Sequence, residues 1–400
     1  MIFPLVFINI VSANEIRNEK TLETKAAKIF LYDYNKHGSE KFELVTDKIE
    51  KGVTVAIFGD DISKVDVYPL FHELRVPVTL TKEEDQQIKT NYVDLFDKED
   101  LEKMASVEEP KSNHSIMLEP NIKNFTPLII LKPNNGKVFA DFHEITVKDI
   151  SKVNKGQLQK YIRDYIKEEK VLSIIEDYEN AVSEKVSTMA TSARFLASIR
   201  KTQTFHGDFY FAGYTRYWKE AGKHITDYLI YDNGDNEIGY DHLTVVAEAE
   251  IHSFPYLNPN GPPFVTEAYE GKLDNYYSTD ILIDYAPDTS AKTLNNSGTY
   301  NFNVGFPWTV SFGYSWHGKS RTTMKGIGNK ENQLYYNYFY NGGTYGLSTS
   351  KFTAEYSAMY KSRGTLLKLN YQNLFGINLS GSATGYDWYG KNWYVLSYDY

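Results

Sequence analysis

The chain has no cysteine among its 400 residues. Disulfide bridges, CxxC redox chemistry and thiolate metal sites are therefore excluded. An excess of positive charge is also missing: 43 Lys and Arg stand against 52 Asp and Glu, a formal net charge of −9. Both signs are interspersed. That balance offers no basic footprint for nucleic acid and no polybasic patch for anionic lipid, so any membrane contact has to be apolar or led by a receptor. No stretch beyond the N-terminus reaches the ~18 apolar residues of a transmembrane helix. Walker A loops, dinucleotide-binding glycine motifs, GxSxG elbows and HExxH are all absent, and the histidines are scattered. Glu248, Glu250 and His252 alternate on one strand face and could chelate a metal. No second ligand pair at metal-site spacing accompanies them, and a solvated face is the simpler reading. No catalytic residue, cofactor or metal is assigned, and a non-enzymatic protein is expected.

What the chain has in abundance is aromatic surface. It carries 33 Tyr, 22 Phe and 5 Trp. Such usage points to β-structure and contact surfaces rather than disorder. The length suits two or three units, each able to bury a core.

The N-terminus, MIFPLVFINIVSANE, has an apolar run from Ile2 to Val11. Val11 and Ala13 fit the −3 and −1 preferences of a cleaved signal peptide, which predicts a signal over 1–13 and a secreted or cell-surface protein. The segment has no Lys or Arg ahead of its apolar run, so an N-terminal strand is the competing reading.

Residues 25–167 predict an α/β unit. KIFLYDY (28–34), VTVAIFG (53–59) and VPVTLT (76–81) read as strands. VDVYPLFHEL (65–74) reads as a helix start limited by Pro69. FTPLIILKPNNGKVFADFHEI (125–145) reads as two strands joined at Asn134-Asn135-Gly136, a strong hairpin signal. A helix follows over 148–166. Residues 168–200 predict one long helix with Val171, Ile174, Ile175, Tyr178 and Val182 on its apolar stripe, packed on the preceding unit. From 201 to 400 Tyr, Asn, Gly, Ser and Thr dominate. Roughly ten short strands with turn-rich joins predict an all-β, mostly antiparallel sandwich.

Within that half, GTYNFNVGFPWTVSFGYSWHG (298–318) alternates without a slip. Tyr300, Phe302, Val304, Phe306, Trp308, Val310, Phe312, Tyr314 and Trp316 share one parity, with small or polar residues between. Pro307 cannot donate to a ladder and marks a turn. A two-residue loop at Pro307-Trp308 would set apolar against polar all along the pair, because opposed residues share a face. An odd loop centred on Pro307 instead pairs Val304 with Val310, Phe302 with Phe312 and Tyr300 with Tyr314. That register is expected. Such a face covers a core in most proteins, and a lipid-facing strand reads the same way. Each arm is shorter than the ~9–11 residues of a membrane-spanning strand.

The β-α-β…β-β-α order of residues 25–167, with Thr126-Pro127 before a strand, resembles the thioredoxin fold, and most closely the non-catalytic domains of protein disulfide isomerases. The resemblance implies a cis peptide at Pro127 and a binding or folding-assistance module without redox activity. ILIDYAPDTSAKTLNNSGTYNFNVGF (281–306) resembles the segment leading into the stem of the leukocidin/α-hemolysin family of secreted β-pore-forming toxins. Tyr285 and Pro287 match that family's strand motif, Asn295 to Gly298 its spacer, and Tyr300 to Phe306 its stem strand. This implies a β-sandwich that binds a cell surface and damages membranes, with a homo-oligomer among its states. The family's stem is far longer than Tyr300–Trp316. The alternating end Tyr394, Leu396, Tyr398, Tyr400 is similar to the closing strand of outer-membrane barrels, a further alternative, with a carbohydrate-active enzyme ranked last. Expected partners are a cell surface, a membrane or another protein. Sequons stand at Asn113, Asn124, Asn295 and Asn378, candidates for N-glycosylation in a eukaryotic secretory pathway.

Overall fold

The computed structural model describes residues 29–105, 122–147, 150–188, 193–211, 215–234, 239–253, 257, 265–277, 279–286, 292–294, 298–304, 310–316, 322–328, 333–340, 351–378, 387–389 and 394–400. The expected signal peptide lies outside them.

The first stretch runs β1 (Ile29–Asp33), α1 (Tyr34–His37), α2 (Phe42–Glu50), β2 (Thr54–Phe58), α3 (Lys64–Glu73), β3 (Val78–Thr81), α4 (Lys82–Asn91), α5 (Lys98–Ala105), β4 (Lys123–Asn134), β5 (Lys137–Val147), α6 (Lys155–Tyr165) and α7 (Glu168–Thr188). Strands follow: β6 (Arg194–Phe211), β7 (Thr215–Asp232), β8 (Asp241–His252), β9 (Val265–Asn275), β10 (Ile281–Ala286), β11 (Lys292–Leu294), β12 (Gly298–Val304), β13 (Val310–Trp316), β14 (Thr322–Gly328), β15 (Gln333–Tyr340), β16 (Lys351–Ser362), β17 (Leu366–Asn378), β18 (Asp387–Tyr389) and β19 (Tyr394–Asp399).

Local chemistry explains the short-range elements. Ser63 caps α3 by accepting from the Asp66 amide. Thr81 and Glu84 close a capping box on α4, which satisfies donors the helix start leaves free. The loop between β4 and β5 is Asn135-Gly136, with φ of 50° and 78°. Both angles are positive, as a two-residue type I′ turn requires. α3 continues through Pro69, where a helix start alone was expected. Burial of Val65, Val67, Tyr68, Leu70 and Phe71 outweighs the ~3 kcal/mol that an internal proline costs.

A nine-stranded mixed sheet has the order β1-β2-β4-β5-β6-β7-β8-β16-β10, and an eight-stranded sheet has the path β11-β14-β15-β9-β17-β19-β3 with β18 beside β17. β12 and β13 form a third sheet of two strands. The first sheet is covered on both faces in its front part. Val55, Ile57, Ile129 and Leu131 join the main core, which reaches Leu369, Tyr371 and Val395 of the second sheet. Their neighbours Ala56, Leu128 and Ile130 join a separate core under α6 and α7, with Leu158, Ile162, Val171, Ile175 and Tyr178. Alternate side chains serving two cores explain why these strands read as continuous apolar runs.

Three expectations change. The helix expected over 168–200 ends at Thr188, and Arg194 opens β6. Ala197 and Ile199 are buried from that strand; two apolar residues fit either period when the stretch is short. Second, the strand after α3 leaves the front sheet: β3 pairs antiparallel with β19. The β-α-β order is present along the chain, but a thioredoxin-like connectivity is not shown by these residues. Third, the change of composition near residue 200 breaks neither sheet. β5 pairs in parallel with β6, from Ala140–Ile199 to Val147–His206. Among the described residues both large sheets are open paths rather than a closed barrel.

Candidate functional site

The parity argument singled out 298–316, and its two arms pair antiparallel. Tyr300 faces Tyr314, Phe302 faces Phe312 and Val304 faces Val310, with Gly298 opposite Trp316. These are the opposed pairs that an odd-length loop requires. Phe306, Pro307 and Trp308, within that loop, lie outside the described residues. Among the described residues, the hairpin joins neither large sheet by ladder hydrogen bonds. It lies against β16 and β10. Among the described residues, β10 is the end strand of the first sheet. It leaves Ile281 and Ile283 49% and 43% exposed. Tyr285, from the stem-like motif, sits on β10 opposite Ala358 and packs on the main core. Pro287 lies outside the described residues.

The strand beneath the hairpin is anchored firmly. Tyr356 of β16 donates to Asn373 Oδ1 at 2.8 Å, and Tyr269 donates to the same oxygen at 3.2 Å. Asn373 in turn donates to Thr226 and to the Tyr228 hydroxyl. Gly271 has to be glycine, since a Cβ there would meet the Tyr356 ring at 2.6 Å.

A buried ion cluster lies deeper, between the sheets. Glu144 Oε1 is 2.7 Å from Lys64 Nζ, and Glu144 Oε2 is 3.1 Å from Lys201 Nζ. All three are 1% exposed. Lys64 also pairs with Glu84, the capping-box residue, at 3.0 Å. Burial works against every charge here, but the two lysines more than compensate for Glu144, whose carboxyl is held down to about 2. For Lys64, Glu144 and Glu84 outweigh burial and raise its pKa. For Lys201 burial outweighs the attraction of Glu144, and its ammonium falls to about 7. Its Nζ lies over the Tyr394 ring. Tyr394 accepts from Gln203 at 2.6 Å and from the Asn124 amide at 3.2 Å. Lys64, Glu144 and Lys201 are sealed from solvent, so their pairs tie α3 to β5 and β6, with the Lys201 ammonium against Tyr394 of the second sheet, rather than presenting chemistry to a ligand.

The remaining expected positions separate by environment. Asn124 donates to Tyr394 at 3.2 Å and accepts from Thr146 at 2.9 Å. Asn378 ends β17 opposite Val265. Asn113 and Asn295 lie outside the described residues. Pro127 sits in β4 at a break in register between Phe125 and Leu128. Its carbonyl accepts from the Gly59 amide at 3.0 Å. Glu250 pairs with His252 at 2.5 Å. No group of three or more metal ligands occurs among the described residues, and no described helix is long and apolar enough to cross a membrane. Sequence reasoning missed the Lys64–Glu144–Lys201 cluster. Glu144 stands before Ile145 and Lys201 two residues after Ile199, and nothing in either strand's own residues marks the charge as buried.

No known protein family matches the sequence. No curated protein matches it either. Among solved structures, the delta-toxin of Clostridium perfringens is similar over 48% of this chain and 89% of its own, at 9% identity and a TM-score of 0.27. A likeness that slight fixes neither a fold nor an activity.

Proposed function

We propose that this chain is a secreted, non-enzymatic protein that engages a cell surface through the β12–β13 hairpin and disturbs the membrane there. One observation carries the reading: the hairpin is a sheet of its own. It can leave β16 and β10 without breaking a ladder hydrogen bond of either large sheet, and its register places Tyr300, Phe302, Val304, Val310, Phe312 and Tyr314 on one face. Each such side chain moved from water into an apolar phase contributes ~1.5–3 kcal/mol. Each arm is 7 residues long. At ~3.3 Å per residue and a tilt near 45°, an arm covers about half of the ~30 Å hydrocarbon core. The hairpin therefore enters one leaflet, and spanning would need more of the chain than these arms.

A protein partner is the second reading, favoured by Ile281 and Ile283 exposed on the end strand β10. The two are separated with a chain that has no native cysteine. Phe302→Cys, labelled with an environment-sensitive dye, is mixed with phosphatidylcholine vesicles. The membrane reading expects a blue shift together with co-sedimentation and dye leakage. No shift and no vesicle binding defeat it and leave the protein partner.

A further inference from the structure

The hairpin uses the rear of the molecule, but the front half carries a separate groove of about 500 Å³ between α2 and α3. Phe42, Pro69, Leu70 and Tyr92 form its apolar part. Its walls are acidic. α2 contributes Glu43, Asp47 and Glu50, and α3 contributes Asp66 and Glu73; among the described residues no Lys or Arg lines it. The spacing is helical: three to four residues separate successive carboxylates on α2, and Asp66 and Glu73 are two turns apart. Each acidic row therefore extends about 10 Å along its helix.

Local structure accounts for some of these charges and not others. Asp66 and Glu43 stand in first helical turns, where the helix dipole favours them. Asp66 also accepts from the Tyr34 hydroxyl at 3.0 Å, and Asp47 pairs with Lys51 on the rim. Glu50 and Glu73 are the last residues of their helices. There the dipole opposes an acid, so helix stability is not what these two serve. A concave surface of one sign concentrates the field and favours a counter-charged ligand. An apolar floor between the rows asks for an apolar group between the charges.

We infer that this groove docks a basic segment of a partner protein, with Lys or Arg side chains along both walls and an apolar side chain on Phe42 and Leu70. A row of ~10 Å matches about three extended residues.

The test uses the full chain and a labelled nine-residue peptide with Lys and Arg flanking a central Leu, read by fluorescence anisotropy at low salt. The triple variant Glu43→Gln, Glu50→Gln, Glu73→Gln is expected to bind at least tenfold more weakly. A control neutralising three exposed acids elsewhere, Glu83→Gln, Asp94→Asn and Glu102→Gln, should stay within twofold of the parent. A central Ser in place of Leu should weaken binding at least fivefold. Equal loss in the control means diffuse attraction to a net-negative protein and overturns the inference. So does spermine binding as tightly as the peptide, which makes this a polyamine site, and so does an absence of peptide binding to the parent chain. Far-UV circular dichroism confirms that each variant is folded.

Discussion

Glu144→Gln is the sharpest probe of the ion cluster buried between α3 and the two large sheets. In the parent the carboxylate accepts a hydrogen bond from Lys64 at 2.7 Å and pairs with the Lys201 ammonium at 3.1 Å, out of contact with water. The amide keeps the shape and removes the charge. Lys64 is then left with Glu84 alone, whose side chain is 25% exposed. Lys201 keeps the Tyr394 and Tyr371 rings. Breaking one partner out of a buried charge cluster costs about 3–5 kcal/mol. Burial already pushes the Lys201 ammonium down from its ordinary value, so it can shed its proton and spare part of that, which places the expectation at the lower end, about 3 kcal/mol. Urea unfolding at pH 7, followed by circular dichroism, should show the midpoint fall with an unchanged slope. The sign at low pH follows from the carboxyl being held below its ordinary value, at about 2 against 4.5. Its stabilisation is complete above pH 4.5 and is lost as the pH falls toward 2, so the variant should show a flatter acid limb. Lys201→Met is the companion. Its folded value, about 7, lies below the ordinary 10.5, so the unfolded chain holds a proton that the folded chain has released. Parental stability therefore rises with pH across that window. The Met variant should lose this rise and be neutral or more stable at pH 6. A cost below 1 kcal/mol for Glu144→Gln, or Lys201→Met costing as much as Glu144→Gln, would refute this account of the buried cluster.

Other outcomes follow from particular contacts. Gly271→Ala should cost ~1–3 kcal/mol by overpacking, because its Cβ would meet the Tyr356 ring at 2.6 Å; Tyr356→Leu in the same chain should recover part of it in the same melt. Asp280 is raised from 3.8 to about 6, chiefly by burial and against the pull of Lys103 at 3.0 Å, so stability falls as the pH rises from 3.8 through about 6; Asp280→Asn removes that fall, and its stability relative to the parent should be greater at pH 7 than at pH 4 in parallel thermal melts. Phe302→Asp with Phe312→Asp should abolish vesicle co-sedimentation while leaving the urea midpoint within about 1 kcal/mol, since the hairpin shares no ladder with the large sheets; retained binding would remove the hairpin from the interaction.

Signals written in neighbouring residues were legible. The Asn-Gly turn after β4, the paired strands around it and the cross-strand pairs of the aromatic hairpin all follow from period, parity and turn chemistry. What could not be read were partnerships across long stretches of chain. VPVTLT reads correctly as a strand, but nothing in six residues says that β3 will sit beside β19. Glu144 and Lys201 likewise look like solvent-facing charges in their own strands, and only the closing of one sheet over the other makes them a sealed pair. The α7–β6 junction differs for another reason: the stripe from Val171 to Val182 is helical, but the short stretch that carries Ala197 and Ile199 fits a strand equally well.

The union of β3 with β19 has a bearing on how the molecule is made. Asp85, just past β3, bonds to Lys368 across 283 residues of chain. Contacts of that reach close late. While the polypeptide is still emerging, β3 is an unmatched edge on a half-finished body, open to pairing with a neighbouring chain. Shortening the rear of this protein should therefore harm its front, and a helper that shields β3 during synthesis would raise the yield of soluble product.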